Sequence, residues 1–107
     1  MYSYNPLRGV PAGLEHLVLG GETSTWSEQT DGVNLDGKVW PRACAAAEVL
    51  WSGPVDARGH NRSQMTASRR LAEMRERLVA RGVAAEAVQM PFCTMQEGQC
   101  TFSSPVL

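Results

Sequence analysis

The chain has no apolar run approaching the ~20 residues that cross a bilayer. Its start, "MYSYNPLRGV", lacks the basic-then-apolar order of a secretory leader. Neither a membrane partner nor an export signal is therefore expected from the residues. No charge of one sign dominates either: ten Lys and Arg against eleven Asp and Glu leave a net charge of -1, which gives nucleic acid no handle. Arginines do gather at 58, 62, 69, 70, 75, 77 and 81, but Glu73 and Glu76 sit among them, the pattern of a solvated helix face. A CxxC pair is missing, and neither His16 nor His60 lies near a cysteine, so no metal centre is expected. Aromatics are only 7% of the 107 residues, so a Trp in a polar loop stands out.

Three cysteines are present, and they follow two logics. Cys44 lies in the alanine-rich run "ACAAAE" and reads as a small buried hydrophobe. Cys93 and Cys100 bracket the polar loop "CTMQEGQC", in which Gly98 permits a turn. Two cysteines so close in sequence suit a disulfide, which belongs to an oxidising compartment.

Residues 1–15 carry Pro6, Gly9, Pro11 and Gly13 and read as an irregular connection. The short run Leu17-Val18-Leu19 reads as a strand buried on both faces, within residues 16–20. A glycine-rich loop follows to residue 38. In "VWPRACAAAEVLWS", Trp40, Ala43, Ala47 and Leu50 or Trp51 recur at helical steps, predicting a helix with Trp40 and Trp51 in the core. Pro41 suits its first turn, Gly53-Pro54 its end, and Arg42 and Glu48 are read as structural residues that can pair within or near it. A second helix is predicted with Ala67, Leu71, Met74 and Leu78 on one stripe and Gly82 as its C-terminal cap. Residues 83–107 read as an extended tail. Asn34 or Asp36 is expected to cap a turn or the following helix. Asn61-Arg62-Ser63 fits the N-glycosylation acceptor pattern, used only on the secretory route.

A lone apolar strand has no ladder partner and cannot satisfy its backbone when buried. Two helices and one strand cannot supply it with neighbours. The pattern is that of the end of a larger α/β protein, or of a chain that pairs with another. Past the strand, "GGETSTWSEQTD" delivers Trp26 with Glu22, Glu28 and Asp31. An aromatic face beside fixed carboxylates is what a sugar ring needs, because its C–H patches stack and its hydroxyls seek acceptors. A carboxylate bound to a hydroxyl is worth roughly 1.5–3 kcal/mol.

The run "VLGGETSTWSEQTDGVNLDGKVWPRACAAAEVLWS" resembles the C-terminal part of the β-N-acetylhexosaminidases, the family-20 glycoside hydrolases. The matching features are "VLGGE", "W-S-E", "NLD" and "WPRA" with a following Ala-Glu and Trp, in that order. "RLAEMRERLVARGVAAEAVQ" is similar to the family's last helix, "YSYNPL" to a segment before its last strand, and the Cys93–Cys100 loop to fungal members. The resemblance implies an α/β fold that is the C-terminal portion of a (β/α)8 TIM barrel, incomplete by itself. Residues 1–15 would be the connection before the last strand, 16–82 the last strand, its helix and a C-terminal helix, and 83–107 the tail with the Cys93–Cys100 disulfide. Barrel active sites lie at the C-terminal strand ends, which is where Trp26 and Glu28 would stand. The resemblance makes Trp26 an apolar wall for the terminal sugar and Glu28 an acceptor for ring hydroxyls, chiefly at C4.

It further implies hydrolysis of terminal non-reducing N-acetylhexosamine by a retaining, substrate-assisted mechanism, with chitin oligosaccharides or glycoconjugates as substrates. No metal or organic cofactor is implied, because the nucleophile is the substrate's own acetamido group. Members are often dimeric and extracellular, vacuolar or lysosomal. The family's adjacent Asp-Glu pair, which orients the acetamido group and protonates the leaving oxygen, has no match in this chain, so no catalytic residue is assigned and the chain alone is expected to be inactive. Two alternatives stand beside this reading: a non-enzymatic remnant that binds sugar weakly or packs with a partner chain, and a small helical interaction domain using the Ala67–Leu78 stripe.

Overall fold

Caps set both ends of the longest helix. In the computed structural model, which describes residues 2, 4–96 and 100, the longest helix is α3, Gln64–Ala80. It starts where Ser63 and Thr66 form a capping box, each side chain meeting the other's backbone N–H. It ends in a Schellman turn: Gly82 at φ 87 lets its N–H reach the Val79 carbonyl at 2.9 Å and the Val83 N–H reach that of Leu78 at 3.1 Å. A residue with a Cβ would resist that left-handed conformation. Helix α2, Arg42–Ser52, follows Pro41 and stops at Gly53, φ 76. Two five-residue helices complete the order, α1 at Leu35–Val39 and α4 at Pro91–Met95. The loop expected up to residue 38 thus contains α1, and the tail expected to be extended contains α4.

Helix α2 packs on α3, α1 on α2 and α4 on α3. The buried cluster is Tyr2, Ala45, Val49 and Ala67, with Leu71 against it. Alanines on both helices let the backbones come close, but each methyl removes little apolar surface from water. The face that α2 turns inward differs from the expected one. Ala45, Ala46 and Val49 are buried, whereas Trp51 is 93% exposed and Trp40 only half-buried. Small residues fit against Ala67 where an indole does not. On α3, Ala67 and Ala72 are buried, Leu71 and Leu78 half-buried, and Met74 exposed.

Leu17–Leu19 do not form the expected strand. Glu15–Leu17 make a single 3-10 turn, and Val18 continues extended at φ -83, ψ 97. Among the described residues the one β-bridge is Val55 to Asn61, so nothing pairs with the segment. Leu19 is 96% exposed, as an unpaired edge with no covering layer must be.

The chain after α3 is stitched back to the rest. Asp36 in α1 accepts the Ala84 N–H at 3.1 Å, the Glu86 N–H reaches the Trp40 carbonyl at 3.0 Å, and Arg75 Nε reaches the Ala85 carbonyl at 3.1 Å. Ala85 is buried between them. Farther on, Cys93 and Cys100 are joined in a disulfide, as expected from their spacing. Gly98, assigned the turn between them, lies outside the described residues, as do 101–107 of the tail.

Two magnitudes describe the whole. The accessible surface is 8676 Å², whereas a folded monomer of 11.7 kDa exposes about 5900 Å². The radius of gyration is 16.2 Å against about 13 Å for a self-contained domain of this length. Much apolar surface is left facing solvent.

Candidate functional site

Trp26 is the last extended residue, φ -88 and ψ 147, before a 3-10 turn at Ser27–Gln29 that carries Glu28. The chain therefore bends just after the indole instead of running straight through both residues. Trp26 is 77% exposed and Glu28 is exposed. Neither side chain is committed to a core, which leaves an aromatic face and a carboxylate free at the head of one loop.

That loop is backed by a polar clamp. Asp31 Oδ1 accepts the N–H groups of Val33 at 2.9 Å and Asn34 at 3.3 Å. Asn34 returns the favour through Oδ1, which accepts the Asp31 N–H at 3.0 Å. Its Nδ2 then donates to the Gln29 carbonyl at 3.1 Å. Lys38, one helical turn beyond Asn34, donates Nζ to the same carbonyl and to Thr30 Oγ1 at 3.3 Å. The Gln29 carbonyl, directly after Glu28, is thus held twice, by Asn34 just ahead of α1 and by Lys38 within it. The expectation for this region named Asn34 or Asp36 as a cap. Asn34 occupies the N-cap position of α1 without a side-chain cap bond to the helix and binds within the turn instead, where Asp31 also bonds, and Asp36 reaches across to Ala84. Asp31 was named only as one of the acids past the strand and Lys38 was not named at all, although Asp-x-x-Asn is a turn signature and Lys38 follows Asn34 at the i,i+4 spacing.

Glu22 lines a cavity of about 260 Å³ together with Tyr4, Gly21, Val49 and Leu50. Gly21 lies against the Leu50 side chain, to which an added Cβ would come within 3.5 Å. This contact leads the extended segment onto α2.

A second polar cluster lies where α2 meets α3. Glu48 takes the Tyr2 hydroxyl at 2.6 Å on Oε2. On Oε1 it takes Arg70 Nε at 2.9 Å and Arg62 at 3.3 Å. The expected Arg42–Glu48 pair does not form. Arg42 reaches Glu86 instead, at 2.5 Å, because residues 42 and 48 are nearly two helical turns apart and face different neighbours. Burial, and then the bond to Glu48, push the Tyr2 phenol well above its ordinary range. Burial likewise raises the Cys44 thiol, which keeps it an unreactive packing group.

The turn between α2 and α3 is closed by Asp56. Its Oδ1 accepts the Arg58 N–H at 2.8 Å and the His60 N–H at 3.0 Å. These backbone bonds, the one from His60 first, draw its carboxyl below the usual range. Asn61 stands exposed at the end of this turn. Among the described residues no three His, Cys, Asp or Glu side chains are grouped as a metal site, and no helix is long and apolar enough to cross a membrane.

Residues 1–54 match the family model for glycosyl hydrolase family 20, catalytic domain. The chain is 52% identical over 101 residues to a beta-hexosaminidase of Arthroderma benhamiae, covering 94% of this chain and 16% of that protein. It is 47% identical over 89 residues to a chitooligosaccharidolytic beta-N-acetylglucosaminidase of Ostrinia furnacalis, covering 81% of this chain and 14% of the relative. A beta-hexosaminidase subunit alpha of Rattus norvegicus is 38% identical over 98 residues, 90% of this chain and 17% of its own. The chain spans about one sixth of the length of each.

Proposed function

Because the chain belongs to glycosyl hydrolase family 20, we propose that it supplies the last strand, helix and C-terminal helix of a β-N-acetylhexosaminidase barrel, and that Trp26 and Glu28 bind the terminal sugar. The observation that carries this is the pair itself: a largely solvent-facing indole and a carboxylate at the head of one loop, with the following carbonyl held by Asn34 and Lys38. In this reading the Trp26 face stacks on the pyranose C–H patches, and Glu28 accepts a hydroxyl proton, chiefly from O4. Leu17–Leu19 find their ladder partner in neighbouring barrel strands, and the surplus apolar surface is what those neighbours cover.

The substrate is a terminal non-reducing N-acetylhexosaminide of a chitin oligosaccharide or glycoconjugate. The substrate's acetamido carbonyl attacks C1 as the glycosidic C1–O bond breaks, with the leaving oxygen taking a proton from the Glu of an Asp-Glu pair outside this chain. Water then adds to C1, opens the cyclic intermediate with retention and returns a proton to that Glu. Glu28 is not the general acid in this reading, because its part is to accept a ring hydroxyl and the proton donor to the leaving oxygen comes from the Asp-Glu pair. The disulfide fits an extracellular, vacuolar or lysosomal setting.

The test is a chimera in which this chain replaces the corresponding segment of the Arthroderma benhamiae relative. The chimera is expected to hydrolyse a nitrophenyl N-acetylglucosaminide, while the isolated chain gives no turnover. Glu28→Gln should lower kcat/KM by about tenfold to a hundredfold, the equivalent of one charge-assisted bond. A folded chimera whose kcat/KM is unchanged by both Glu28→Gln and Trp26→Ala would sink the assignment.

A further inference from the structure

We propose that Asn61 carries an N-linked glycan, attached before α3 is capped. Asn61-Arg62-Ser63 is an acceptor triplet, whereas the other two asparagines, in Asn5-Pro6-Leu7 and Asn34-Leu35-Asp36, do not fit the pattern. Asn61 is exposed, and among the described residues its side-chain amide makes no hydrogen bond. Its neighbours are polar: with Asp56, Arg58, His60 and Thr66 it lines a cavity of about 250 Å³, a wet surface on which a first sugar can lie. The disulfide between Cys93 and Cys100 belongs to the oxidising route along which such glycans are added.

The timing follows from one oxygen with two uses. In the folded chain the Ser63 hydroxyl accepts the Thr66 N–H at 3.3 Å and lies 3.3 Å from Thr66 Oγ1. The backbone beside it is tied as well, by the Val55–Asn61 bridge and by the Arg62 N–H on the Pro54 carbonyl at 2.9 Å. Recognition of the triplet needs that same hydroxyl and a pliable backbone. The folded turn withholds both, so transfer happens on the open chain. The donor is a lipid diphosphate-linked oligosaccharide. Its C1–O bond to phosphate breaks, with the lipid diphosphate leaving with the electron pair. A bond forms between C1 and Asn61 Nδ2, and the amide gives up one proton.

The experiment translates the full chain behind a cleavable leader into glycosylation-competent microsomes and reads protease-protected product on a gel, with and without a glycan-removing amidase. An amidase-sensitive shift is expected for the parent and for Ser63→Thr, which keeps the hydroxyl, and its loss for Asn61→Gln and Ser63→Ala. Protected chain with no shift, or a shift that survives Asn61→Gln, overturns the proposal. For the timing, unglycosylated chain made in bacteria is offered donor and transferase beside a peptide of residues 57–66. The peptide should be modified and the folded chain should not. Equal rates overturn the order of events. Neither arm measures hydrolysis, so the outcome is separate from that of the chimera.

Discussion

Glu48 shows how much one side chain can organise here. It joins Tyr2, at the start of the chain, to Arg62 in the turn and Arg70 in α3, and its side chain is only 23% exposed. Glu48→Gln keeps an acceptor for Tyr2 but leaves two guanidiniums without their countercharge. The expected cost is about 1.5–3 kcal/mol, read as a lower midpoint in urea unfolding. Tyr2→Phe removes a single bond and should cost about 1 kcal/mol at neutral pH. It should also change the alkaline limb. The folded phenol titrates above its ordinary 10.0, so its contribution is complete below pH 10 and is lost as pH rises through the folded value. The Phe variant lacks that term, and its stability should fall less steeply above pH 10. By contrast the Arg42–Glu86 pair, with both side chains more than half exposed, is worth little despite its short distance. None of the Glu48 cluster was legible in advance, because its partners are brought together by the α2–α3 packing and not by spacing.

At the level of elements, the ends of α3 hold most of the local information. Ser63→Ala should cost about 1 kcal/mol by freeing the Thr66 N–H. Gly82→Ala should cost about 1–2 kcal/mol, since nothing lies within 4 Å of an added Cβ and only the left-handed backbone at φ 87 opposes it. Thermal melts followed by circular dichroism check both. Gly82 and the stripe from Ala67 to Leu78 made α3 readable from its residues, whereas the cap at Ser63 went unread. Helix α2 was readable as a helix but not in its rotation. "ACAAAE" is apolar nearly all round, so the tryptophans suggested a stripe, whereas contact with Ala67 selected the methyl face. The Trp26-Ser27-Glu28 motif was visible as residue types. Its support by Lys38 and Asp31 was not, because it depends on α1 forming inside a glycine-rich loop.

For the whole molecule, surface is the governing quantity. An excess of roughly 2800 Å² over a folded monomer of this mass goes with apolar residues left facing solvent, Leu17 and Leu19 of the extended segment among them, which add little to this chain's own stability. Leu19, 96% exposed, is the cleanest probe. Leu19→Lys should shift the isolated chain's unfolding by less than about 0.5 kcal/mol. In the chimera the same change would bury a charge among strands and cost several kcal/mol, read as loss of soluble, active protein. An equal, small effect in both would mean that this segment is not a barrel stave. The strand's failure to form follows from the same cause: a ladder is a property of two segments, and one apolar tripeptide cannot announce whether the second is at hand.

The stitching of residues 84–86 has a consequence for where the chain can be shortened. Asp36 ties Ala84 to α1, and the same short helix carries the Lys38 that grips the carbonyl after Glu28. The aromatic loop near the front of the sequence and the exit from the final long helix therefore hang from one peg. A premature stop codon just ahead of Ala84 would spare every helix up to that point, yet it would strip the peg of its rear fastening and leave the loop of Trp26 and Glu28 with half its mooring.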